Sequence, residues 1–111
     1  MEENLNQIEI LFRQQVCLLQ FRYYENNRLA IILVDKASKE HFATATVNVP
    51  DYPLRENEVI IKNYSETEGI LDELIKVGLI TRPVRYVQTD IIPCPVCKLI
   101  GTIEIFEFSM N

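Results

Sequence analysis

Residues 65–78 carry the one strong helix signal in this 111-residue chain, and it stands among segments of strand type. Ser65-Glu66-Thr67-Glu68 has the spacing of a capping box, in which a Ser hydroxyl and a Glu carboxylate exchange hydrogen bonds with each other's backbone amides. Ile70, Leu71, Leu74 and Ile75 then repeat as a helical apolar stripe. Gly78 stands where a left-handed residue closes a helix. Gly69 lies inside this stretch. A helical glycine costs about 1 kcal/mol relative to alanine, so its presence predicts close approach of a neighbouring element.

Three strand-like runs precede the helix. Residues 16–24 put Cys17, Leu19, Phe21 and Tyr23 on one face, and residues 29–34 are apolar on both faces. Residues 42–49 alternate, with Ala43, Ala45, Val47 and Val49 inward. Glu25-Asn26-Asn27-Arg28 and the polar stretch 35–41 supply turn chemistry between them, so the three runs predict an antiparallel meander. Pro50 and Pro53 end it, because proline brings no amide to a ladder. A short strand is expected over 58–62, and returning strands over 84–92 and 99–108, the last bent at Gly101. Residues 1–14 have spacing that fits either a helix or a lead into a strand. The fold expected is therefore α+β: a single domain, 1–111, with an antiparallel sheet of about five to six strands and one principal helix, about 66–77, packed on one face.

Charge and cysteine usage narrow the function classes. The chain has 16 acids against 11 bases, a net charge of −5. That disfavours non-specific nucleic-acid binding, which needs clustered Lys and Arg. The remaining nucleic-acid reading would use Arg22, Arg82 and Arg85 as one weak basic patch, if their strands are neighbours. The longest apolar run, 29–34, is too short to cross a bilayer, so no membrane association is expected. The N-terminus, Met-Glu-Glu-Asn, is acidic where a secretory signal is basic. Three cysteines, an odd number, fit a reducing compartment, and a cytoplasmic location is expected.

The motifs that carry chemistry are sparse. Cys94-Pro95-Val96-Cys97 has CxxC spacing, which in a loop supplies two thiolates to zinc and at a helix start supplies a redox dithiol. Only Cys17 and His41 remain as further ligands, and the residues after Cys97 favour a strand, so two buried cysteines in a bent strand are expected instead. His41 lies beside Lys39-Glu40 and reads as a surface turn residue. Nucleophile and phosphate-loop motifs are absent. A helix start can bind anions, but Glu66 and Glu68 occupy that position with negative charge. A non-enzymatic role with no cofactor is expected.

The acidic segment 51–73 is the remaining feature. Tyr52 and Tyr64 fall in its connections, among Asp51, Glu56, Glu66 and Asp72. Tyrosines flanked by charge are typical of protein-binding surfaces. The partner expected is thus another protein, contacted through Tyr52, Glu56, Tyr64, Glu66 and Asp72, with a homodimer through open sheet edges as a further form of association.

Ala43-Thr44-Ala45-Thr46-Val47-Asn48-Val49-Pro50, Glu58-Val59-Ile60-Ile61-Lys62-Asn63-Tyr64-Ser65 and Glu68-Gly69 together resemble a family of small uncharacterised proteins carried on plasmids, integrative elements and phages of gut bacteria. The resemblance runs over about 43–100. It brings no activity, cofactor or catalytic residue with it. It implies a protein-binding module of mobile-element type, a class that includes inhibitors of host defence nucleases. The alternatives are a small zinc-binding domain built on Cys94 and Cys97, and a weak nucleic-acid-binding protein.

Overall fold

The computed structural model describes residues 8–100 of the chain. Residues 8–12 are a strand, β1 (Ile8–Phe12), paired antiparallel with β2 (Gln15–Tyr23). Their two-residue turn, Arg13-Gln14, has φ of 54° and 66°. Two consecutive left-handed residues match the twist of the flanking strands, which explains how so short a hairpin closes without glycine. The predicted meander follows as β2, β3 (Leu29–Asp35) and β4 (His41–Thr44), giving a four-stranded sheet ordered β1-β2-β3-β4. Asn27 and Lys39 take the left-handed position in its two further turns, each with φ of 68°.

β5 (Glu58–Ile60), β6 (Arg85–Val87) and β7 (Cys94–Lys98) form a second antiparallel sheet, ordered β5-β7-β6. The fold is α+β as expected, with seven strands among the described residues, divided into two sheets rather than gathered in one. The division has a local cause. The Ala45 amide still donates to the Ile31 carbonyl of β3 at 2.8 Å, and Thr46 then pairs with Ile61 just beyond the end of β5. The Val47 amide donates to the Ile60 carbonyl and the Lys62 amide to the Ala45 carbonyl, at 3.0 and 2.7 Å. The two sheets are thus hinged along 45–47 and 60–62. Of the strand expected over 99–108, Leu99 bridges to Ile80, and residues 101–108 lie outside the described residues.

The helical segment spans the expected residues but is broken. A 3-10 turn, Ser65–Thr67, precedes α1 (Ile70–Lys76). Ser65 does not cap the helix: it has φ of 56° and its side chain makes no capping bond. The buried Thr67 holds the turn instead, its hydroxyl donating toward the carbonyls of Lys62 and Tyr64 at 2.6 and 3.1 Å. The start of α1 is satisfied by Asn63, whose Oδ1 accepts from the amides of both Gly69 and Leu71, each at 3.0 Å. Gly69 is required by its φ of 96°, not by crowding, since an added Cβ would meet only Phe12 at an ordinary 3.9 Å. At the other end Gly78, with φ of 80°, forms the expected closing motif. Its amide donates to Ile75, and that of Leu79 to Leu74. Seven residues are too few for a helix to stand alone. Burial of Ile70 and Leu74 holds it, at about 2–3 kcal/mol for each side chain.

The main core gathers side chains from both sheets and α1, with Phe21, Leu19, Ile31, Leu33, Ile61 and Cys97 among its buried members. A second, smaller core of Ile60, Val87, Cys94 and Val96 lies on the opposite face of the β5-β7-β6 sheet. β5 and β7 therefore carry buried apolar side chains in both directions, the physical reason residues 59–61 read as a continuous apolar run. No helix among the described residues is long and apolar enough to cross a membrane.

Candidate functional site

The second core is covered by chain rather than by helix. Residues 47–54, which follow the hinge, fold across it, and Val47, Val49, Tyr52 and Leu54 pack on it from one side. Tyr64, beyond the C-terminal end of β5, packs on it as well. Tyr52 and Tyr64, separated in sequence by twelve positions, thus share one half-buried apolar face.

Charged side chains fix the covering loop. Arg28, just before β3, donates from Nη1 to the Val49 carbonyl at 2.7 Å and from Nη2 to the Tyr52 carbonyl. Glu58, the first residue of β5, is buried and forms a two-pronged ion pair with Arg85 of β6. Nη1 donates to Oε2 at 2.9 Å and Nη2 to Oε1 at 2.7 Å. The Arg55 amide adds a bond to Oε1 at 2.9 Å. The Arg85 hydrogen bonds hold the Glu58 carboxyl down to about 2, against a burial cost acting the other way. The same pair pushes Arg85 further up, with help from Tyr52. Arg85 Nε donates to Tyr52 Oη at 2.7 Å, and the guanidinium lies 5.5 Å from the Tyr52 ring centroid. Glu58, Arg85 and Tyr52 are therefore one unit spanning β5, β6 and the loop, on the wall of a cleft of about 500 Å³.

The residues singled out in the sequence separate into two groups. Tyr52 and the exposed Glu56 lie near the N-terminal end of β5, beside Arg85 and Arg55. Tyr64 and the exposed Glu66 lie beyond its C-terminal end, and the exposed Asp72 is on α1. Lys62 joins that second group: its ammonium pairs with Glu66 at 2.6 Å and sits 5.4 Å from the Tyr64 ring centroid. The Lys62 hydrogen bond lowers the Glu66 pKa. The acidic segment is thus not one uniform surface, because three of its seven acids, Glu66, Glu58 and Glu73, are paired with Lys62, Arg85 and Lys76.

Cys94 and Cys97 do not form one ligand pair. They are three residues apart on β7, and side chains at that separation on a strand point to opposite faces. Cys97 lies in the main core and Cys94 in the second core. Burial pushes the Cys97 thiol up to about 12 and raises Cys94 as well. Among the described residues no three His, Cys, Asp or Glu side chains gather as a metal-binding group. The Arg22, Arg82 and Arg85 patch does not assemble either. Arg22 is on β2 and Arg85 on β6, strands of two different sheets.

Glu58, Arg55 and Lys98 were not legible as a site. The available signal was Glu58 itself, an acid heading an apolar strand, which burial obliges to find a cation. The sequence does not say which cation, because Arg85 arrives from 27 positions away. No family model, no curated protein and no solved structure matches this chain.

Proposed function

We infer that the protein is a non-enzymatic protein-binding module whose contact face is the outer side of the β5-β7-β6 sheet. The observation that carries this reading is the convergence of Tyr52 and Tyr64 on one half-buried apolar cluster. A tyrosine gives a large apolar ring with a polar tip at low entropic cost, and it anchors interfaces when its ring is already held. Tyr52 is held by Arg85 and Tyr64 by its packing and Lys62. The exposed Glu56 and Glu66 follow Tyr52 and Tyr64 closely in the chain, and with Asp72 on α1 they suit a partner with basic groups at its rim. The resemblance of residues 43–100 to proteins of mobile elements makes a cytoplasmic host protein the partner class to examine, with defence nucleases first.

The test is capture of a partner by the tagged protein from a bacterial host lysate, followed by affinity measurement with variants. Tyr64→Ser is expected to weaken binding about 30-fold, the loss of an anchor contributing about 2 kcal/mol. Paired charge reversal, Glu56→Lys with Asp72→Lys, should slow association and change its salt dependence. A captured partner whose affinity is unchanged by all three substitutions overturns the assignment of this face.

A further inference from the structure

The cleft beside Tyr52 holds more positive charge than its one carboxylate balances. Arg55, Arg85 and Lys98 line it against one carboxylate, Glu58, an excess of two positive charges in a chain of net −5. Both Glu58 oxygens are taken by Arg85, and one also by the Arg55 amide. Arg85 is not exhausted. A guanidinium has five N–H groups, and Tyr52 and Glu58 occupy three, one on each nitrogen. The Tyr52 hydroxyl accepts from Arg85 and so keeps its own hydrogen to donate. Among the described residues, no acceptor pairs with the Arg55 guanidinium or the Lys98 ammonium. Pro53, Leu54 and Val84 complete the walls with apolar surface.

We propose that this cleft binds a small organic anion: a carboxylate or phosphate monoester held by Arg85, Arg55 and Lys98, with an apolar body against Leu54 and Val84. The volume, about 500 Å³, is that of a small-molecule site. The anchoring cation is oriented before any ligand arrives, because the two-pronged bond to Glu58 and the bond to Tyr52 fix the guanidinium plane. The net negative charge of the chain does not forbid an anion here, since salt screens charges beyond about 8 Å. The proposal rests on the cleft alone and stands whether or not the tyrosine face binds a protein.

Proton–nitrogen correlation spectra of the full chain, titrated with phenyl phosphate and separately with benzoate at constant ionic strength, test it. Benzyl alcohol and chloride serve as the neutral and inorganic controls. Saturable shifts at the amides of Val84, Arg85 and Lys98 and at Arg85 Nε are expected with at least one of the two anions, and the tighter of them identifies the group. Arg55→Gln and Lys98→Gln should each weaken binding about five- to tenfold, and together abolish it, as expected for lost charge-assisted contacts. Lys98 makes no hydrogen bond or ion pair among the described residues, so thermal unfolding should be unchanged in Lys98→Gln, while Arg55→Gln also loses an attraction to the Glu58 carboxylate and should lower the melting temperature only slightly. Shifts no larger than those from chloride, equal binding of benzyl alcohol, or undiminished anion binding by the double variant would each overturn the proposal.

Discussion

Glu58 ties the stability of this protein to pH. Its carboxyl has an ordinary value of 4.5 and is held at about 2 in the folded chain by Arg85. A carboxyl lowered on folding contributes its full stabilisation above the unfolded value. The contribution shrinks as pH falls from 4.5 toward 2, where the folded form takes up its proton. Glu58→Gln removes this linkage and leaves Arg85 without its counter-charge. The expected outcome is a loss of about 3 kcal/mol at neutral pH, as for other broken buried pairs. The slope of stability against pH below 4.5 should also become shallower. Urea unfolding at pH 7 and at pH 3 reads both effects. A variant that loses as much at pH 3 as at pH 7 would show that Glu58 does not titrate with folding. Glu58 was visible in the sequence only as an acid in an apolar run. Its partner was not, because ion pairing across a sheet depends on strand order, which no local pattern encodes.

The break before α1 marks where local pattern and tertiary context diverge. The apolar stripe, the closing Gly78 and the span of the helical segment were all legible, since each depends on residues within two turns of one another. The start was not. Ser65-Glu66-Thr67-Glu68 fits a capping box, yet Thr67 is buried with its hydroxyl bonded to Lys62 and Tyr64, which pulls the chain into a 3-10 turn. Arg13, at the tip of the β1-β2 hairpin, donates to the Ser65 and Glu68 carbonyls and fastens the turn from outside. Asn63 then provides the acceptor that the helix amides need. Two substitutions separate the alternatives by sign. Asn63→Ala should cost about 1–2 kcal/mol, as does loss of a helix cap. Ser65→Gly should stabilise by about 1 kcal/mol, because it relieves a left-handed residue that has a Cβ. A capping serine replaced by glycine would instead cost a few tenths of a kcal/mol. Thermal unfolding of the two variants distinguishes these cases.

At the scale of the whole molecule, β7 is the wall between two cores, and this decides what the CxxC sequence can do. The meander and the fold class follow from alternation and turn residues. The second core does not, because it needs the loop after Pro50 to return across the β5-β7-β6 sheet, and Arg28 holds it there through the Val49 and Tyr52 carbonyls. Pro95 stays within the central strand because its carbonyl still receives the Ile61 amide at 2.9 Å, while the donor that proline lacks falls where β5 ends. Cys94 and Cys97 flank it and enter different cores. Each lost thiol therefore acts on its own cluster, and sites without shared contacts have additive effects to within about 0.5 kcal/mol. Cys94→Ala and Cys97→Ala should each destabilise, and the double variant should lose the sum. Two thiolates on one metal ion would behave otherwise: the first substitution would remove most of the stabilisation and the second little more, and a chelator would lower the melting temperature of the wild type alone. Additive losses with no chelator effect are the outcome that the two-core architecture requires.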